Sequence, residues 1–161
     1  MYILIDFENV GLKGIEGYEY LKRTDTIGLF YSQQWEMKRT EAENVILKYG
    51  CDVFSRKLVQ QHKNGIDHYM ACELGQYFGS HRKEKIALII SKDKGFKAIA
   101  DYWNMLGMGN EVYIASTIKE GFLKMEELCG KRRYKQMISD INLKLILSQM
   151  KTERYYVCAA L

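Results

Sequence analysis

In the stretch MYILIDFENVG the apolar run Tyr2–Ile5 gives out into Asp6, Glu8 and Asn9 before Gly11. The pattern returns in KIALIISKDKGF, where Ile86–Ile90 is followed at once by Ser91, Lys92 and Asp93. A third acid, Asp67, follows the Asn64-Gly65 turn signal in HKNGIDHYMACELG, at the first turn of a helical pattern. Each aspartate alone has an ordinary explanation, because Asp favours turns and helix starts through local hydrogen bonds and the macrodipole. Gathered in one place, three carboxylates would repel one another unless a cation sat among them. An all-oxygen donor set is suited to Mg²⁺ or Mn²⁺. Such a cluster can activate water and stabilise a phosphodiester undergoing in-line displacement, with no side-chain nucleophile. The chain correspondingly lacks GxSxG, a P-loop glycine pattern and an HExxH pair.

The elements around these residues place them on one rim. Five short runs rich in Ile, Leu, Val, Phe and Tyr read as strands: Tyr2–Ile5, Ile27–Tyr31, Cys51–Phe54, Ile86–Ile90 and Glu111–Ile114. Most lack polar alternation, as expected for strands covered on both faces. Between them, Ala42, Val45, Ile46 and Tyr49, then Met70, Ala71, Leu74 and Phe78, recur at helical spacing, and Phe96, Ile99, Ala100 and Trp103 mark a third helix. This β, α, β, α order predicts an α/β fold, a parallel sheet of about five strands with helices on both faces. Function in such sheets collects at the carboxyl ends of strands, where Asp6 and Asp93 fall.

From Lys119 onward the pattern is helical, with Gly130 separating two runs. The expected division is a domain over 1–116 and a basic, mainly helical extension over 117–161, packed on or beside it. Net charge is +4 overall, and the excess lies wholly in that extension: residues 1–116 carry 15 Lys/Arg and 15 Asp/Glu, residues 117–161 carry 9 and 5. A basic segment suits a polyanion such as nucleic acid. Lys131, Arg132 and Arg133, beside Tyr134, have the chemistry for phosphate contact and base stacking, and Lys92 and Lys94 could meet a phosphate beside Asp93. The cysteines Cys51, Cys72, Cys129 and Cys158 form no CxxC pair, which indicates reduced thiols and a cytoplasmic setting. No run is long and apolar enough to span a bilayer, and no signal peptide is read at the start. No exposed apolar stripe requires a homodimer, although one would lengthen an acidic groove.

The stretches LIDFENVG, NGIDHYMACELG and IISKDKGF, in this order and spacing, resemble the PIN-like nucleases, specifically their NYN-type branch, over roughly residues 2–115. The resemblance implies a Mg²⁺- or Mn²⁺-dependent endoribonuclease that hydrolyses single-stranded or structured RNA with a metal-activated water. Asp6, Asp67 and Asp93 would be the catalytic, metal-binding carboxylates. Asn9 and Ser91 match polar motif positions that support the site, and Glu8 is a further supporting candidate, on the same side as Asp6 if the strand's alternation continues. The chain departs from the pattern at Gly95, where many members carry an additional acid, and no acid on an early helix is located securely. Glu41 and Glu43 are substitutes that also suit a solvated helix face. The alternative is therefore a PIN-like module that no longer cuts and binds RNA or a protein partner.

A haloacid-dehalogenase phosphatase fits poorly, since Glu8-Asn9-Val10 stands where Asp and a Gly-Thr pair are expected. A phosphoacceptor receiver would place its Asp after the third strand, where this chain has Phe54, Ser55 and Arg56. His62 and His68 lie near Asp67 and read as surface histidines, and Glu73, six residues along the helix from Asp67, is rotated away from it.

Overall fold

The computed structural model describes residues 1–60, 63–80, 85–106, 109–125 and 135–145. The most apolar segments form its centre. Strands β1 (Tyr2–Asp6) and β4 (Ile86–Ile90) lie side by side, flanked by β2 (Thr26–Tyr31), β3 (Asp52–Lys57) and β5 (Glu111–Ala115) in the order β3-β2-β1-β4-β5. Every pairing is parallel. All five residues of β1 are buried, whereas the edge strand β3 is half exposed along its length. That is why β3 runs on through Ser55, Arg56 and Lys57: an edge strand tolerates polar side chains that the apolar-run criterion ends at Phe54.

Helices cover both faces. After β1 comes one short turn, α1 (Phe7–Val10), then 3-10 turns at Gly11–Ile15 and Tyr18–Tyr20. Next along the chain are α2 (Glu36–Leu47), α3 (Gly65–Gly79), α4 (Phe96–Met105) and α5 (Ile118–Met125). On one face, Ile66, Met70, Leu74 and Phe78 of α3 and Phe96 and Ala100 of α4 pack on Leu4, Phe30, Ala87 and Ile89. On the other, Gly121 brings α5 so close to Leu88 that an added Cβ would lie 2.4 Å from its side chain, and the 3-10 turn bearing Gly14 meets Ile90. Burying these side chains, each contributing about 1.5–3 kcal/mol, supplies the main drive to this layering.

The chain divides into two compact units, Met1–Met125 and Glu126–Leu161. In the second, residues 135–145 are helical. Lys131, Arg132, Arg133 and Tyr134, the Gly130 break, the ending TERYYVCAAL, His62, Cys129 and Cys158 lie outside the described residues. Among the described residues, no helix is long and apolar enough to cross a membrane.

Candidate active site

The connection after β1 leads to β2 on one side of it, while β4 lies on the other, so the order of strands reverses between β1 and β4. A crevice opens at the carboxyl ends of strands at such a point. Asp6 is the last residue of β1, in register with Phe30 of β2, and one position beyond the Ile5–Ile90 pair that joins β1 to β4. Its neighbour across the crevice is Ser91, the first residue after β4.

Both Asp6 oxygens are held. Oδ1 accepts the Asn9 backbone N–H at 3.3 Å, so that Asp6 caps α1, and Oδ2 accepts the Ser91 hydroxyl at 2.9 Å. The same Ser91 oxygen accepts the Asp93 N–H at 3.0 Å, and Asp93 Oδ1 accepts the Gly95 N–H at 2.8 Å. The loop after β4 is thereby laced to the end of β1. Asn9 Oδ1 adds a further tie by accepting the Lys92 N–H at 3.0 Å. Asp67 arrives from α3, whose start is set by Asn64 in the left-handed conformation (φ 61), a geometry asparagine tolerates better than most residues.

Asp6, Asp67 and Asp93 line one cavity of about 210 Å³, together with Glu8, Asn9, Leu58, Asn64, Gly65 and Ile66. Asp67 Oδ2 and Asp93 Oδ1 each lie 3.3 Å from the point a Cβ on Gly95 would occupy. Gly95 therefore sits between two carboxylates, and a side chain there would force them to give way. Glu8 reaches the cavity as well, but through the turn of α1, since the strand ends at Asp6. Its Oε1 accepts from the Ser32 hydroxyl and, at 3.4 Å, from the Gln34 amide. Ser32 follows β2 as Asp6 closes β1, so the strand-end rule applied to β2 would have found it. Leu58 and Ile66 had no chemical signal of their own, and Asn64 showed itself only as part of a turn signal.

Burial, above all, pushes the Asp6 carboxyl up from 3.8 to about 6; the Ser91 and Asn9 hydrogen bonds oppose this, and the charges of Asp67 and Glu8 add to it. Asp67 is also raised, by burial first and then by the Asp93 charge. Among the described residues, no lysine or arginine forms an ion pair with Asp6, Glu8, Asp67 or Asp93. Lys92 and Lys94 are exposed beside Asp93 and line no part of the cavity. His68 is exposed next to Asp67, Glu73 is bound to Tyr2 and Arg56, and Glu43 pairs with Arg39 on α2.

The carboxylate set is wholly oxygen and negative, with no lysine or arginine paired to it among the described residues, which fits a hard divalent cation. No group of three His, Cys, Asp or Glu side chains at ligating spacing occurs among the described residues.

An alignment of 154 residues, covering 79% of this chain, is 24% identical to one of the NADH-quinone oxidoreductase subunits of Buchnera aphidicola subsp. Schizaphis graminum (strain Sg). The chain spans only 16% of that protein's length. No solved structure matches it. The family model described as PIN domain matches residues 1–113, from β1 into β5, including Asp6, Asp67 and Asp93. The chain belongs to the PIN domain family, a family of nuclease-type domains.

Proposed function

We propose that the chain is a metal-dependent endoribonuclease of the NYN-type branch, acting on RNA in the cytoplasm. The observation that carries this reading is the meeting of Asp6, Asp67 and Asp93, from three separated parts of the chain, around one cavity with no cationic side chain paired to them among the described residues. Asp6, Asp67 and Asp93 would hold Mg²⁺ or Mn²⁺, which when bound supplies charge neutralisation and lowers the pKa of coordinated water. Ser91 keeps one Asp6 oxygen turned to a fixed donor and ties down the Asp93 loop. Asn9, its Oδ1 committed to the Lys92 N–H, donates no side-chain N–H to another of the described residues and could offer those groups to an acceptor such as a phosphate oxygen. Glu8, fixed by Ser32 and Gln34, adds negative charge to the cavity wall. Lys92 and Lys94, exposed beside Asp93, would attract an RNA backbone toward the acidic centre, and Lys131, Arg132 and Arg133 add basic residues of the kind that bind phosphate.

The test is cleavage of end-labelled single-stranded RNA in Mn²⁺ or Mg²⁺ by the native chain, Asp6→Asn and Asp93→Asn. Loss on the order of 10²-fold or more in both variants is expected. Equal rates in all three would remove the assignment. Two observations favour a second reading, a module that binds RNA or a protein partner without cutting: the missing group of three at ligating spacing among the described residues and the glycine at position 95. For that reading the native chain binds the same RNA and leaves it intact at every metal concentration.

A further inference from the structure

A second concavity lies beside the carboxylate cavity on the same face of the sheet. It is a groove of about 410 Å³ lined by Phe30 of β2, Arg56 of β3 and His68, Tyr69, Glu73 and Gln76 of α3, among others, with most of its exposed lining apolar. The two concavities have different lining residues that adjoin in register and along the chain. Phe30 is the register partner of Asp6, Leu58 of the cavity lies two residues beyond Arg56, and Asp67 of the cavity immediately precedes His68 and Tyr69. The start of α3 thus carries Asp67 for the cavity and His68 and Tyr69 for the groove, which puts the groove next to the carboxylates along that helix.

The chemistry of the lining is that of a planar heterocycle's pocket. Phe30, 1% exposed, makes an apolar floor, and the half-buried Tyr69 ring makes a wall. The Arg56 guanidinium, half exposed, is held over the Phe54 ring at 4.8 Å and bonded to Glu73 at 3.4 Å. Glu73 is fixed in turn by the Tyr2 hydroxyl at 2.8 Å. Aromatic rings and arginine planes stack on bases, while the Gln76 amide at the mouth can donate to and accept from a base edge.

We propose that this groove is a nucleobase subsite, receiving one unstacked base of single-stranded RNA next to the phosphodiester held at the carboxylates. The inference rests on the ribonuclease reading above and adds where the substrate's base goes. Recognition here selects RNA with a base free to leave its stack, hence single-stranded segments over continuous duplex.

Binding is measured in an Asp93→Asn background, where cleavage does not intervene, using a single-stranded RNA carrying 2-aminopurine and a matched series with one abasic residue at each position in turn. Tyr69→Leu keeps the apolar volume of the wall and removes its aromatic face; Gln76→Ala, at an exposed position, provides a variant with little risk to folding. Tyr69→Leu is expected to weaken binding roughly tenfold and to dequench the probe at one position. An abasic residue at that position should weaken the parent to a similar degree and the Tyr69→Leu protein no further. RNA binding unchanged by Tyr69→Leu, by Gln76→Ala and by every abasic substitution would overturn the subsite while leaving the ribonuclease reading intact. Failure of the native chain, as well as of the parent, to bind or cut any of these RNAs would overturn both.

Discussion

Asp6 is a carboxylate placed where it is costly to ionise. It is 5% exposed, lies near the charges of Asp67 and Glu8, and among the described residues has the Ser91 hydroxyl and the Asn9 N–H to stabilise its charge. Its folded value, about 6, lies above the 3.8 of an unburied group, so its protonated form favours the fold. That contribution is complete below about pH 4 and disappears as pH rises through about 6. In metal-free protein at pH 8, Asp6→Asn is therefore expected to raise stability by about 1–2 kcal/mol in urea unfolding, with the gain gone below pH 4. Added Mg²⁺ should then raise the melting temperature of the native chain and leave that of Asp6→Asn nearly unmoved. A native chain indifferent to Mg²⁺ would show that the buried charge is not relieved by a cation. The position of Asp6 was legible from sequence because an apolar run ended on it. The position of Glu8 was legible only in part: strand alternation put it on the side of Asp6, whereas one turn of helix carries it to the cavity.

At the level of elements, the central strands declared themselves and the edges did not. β1 and β4 are apolar throughout because helices cover both their faces, so the run of Ile and Leu is itself the signal. β3 and α2 have partly exposed surfaces; the first runs past Phe54 and the second begins at Glu36, ahead of its first buried residue, Ala42. The outer edge of β5 carries a device no periodicity reveals. Asn104 of α4 folds back so that its Oδ1 accepts the Val112 N–H at 2.7 Å and its Nδ2 donates to the Val112 carbonyl at 3.1 Å. Lys124 donates to the Ile114 carbonyl at 3.1 Å. These side chains occupy main-chain groups that an approaching strand would otherwise pair with. Asn104→Ala is expected to cost about 1–2 kcal/mol in urea unfolding and to promote concentration-dependent association in size-exclusion chromatography. Unchanged stability together with a monomer peak at high concentration would show that β5 needs no such cover.

For the whole molecule, the reversal of strand order between β1 and β4 does the decisive work. It opens a crevice at one end of the sheet, and three connections separated by scores of residues deliver Asp6, Asp67 and Asp93 to it. The parallel alternation of strands and helices could be read in advance, and with it the shared rim. The spacing of the carboxylates could not, because it depends on one hydroxyl, Ser91, on the left-handed Asn64 and on the room left by Gly95. Anomalous diffraction from crystals soaked in Mn²⁺ addresses that spacing most directly. A single strong peak inside the cavity, within reach of Asp6, Asp67 and Asp93 directly or through one water, is the expected result. Crystals of the active protein with no peak there, or with a lysine or arginine side chain filling the space among the three carboxylates, would contradict a metal-dependent nuclease centre.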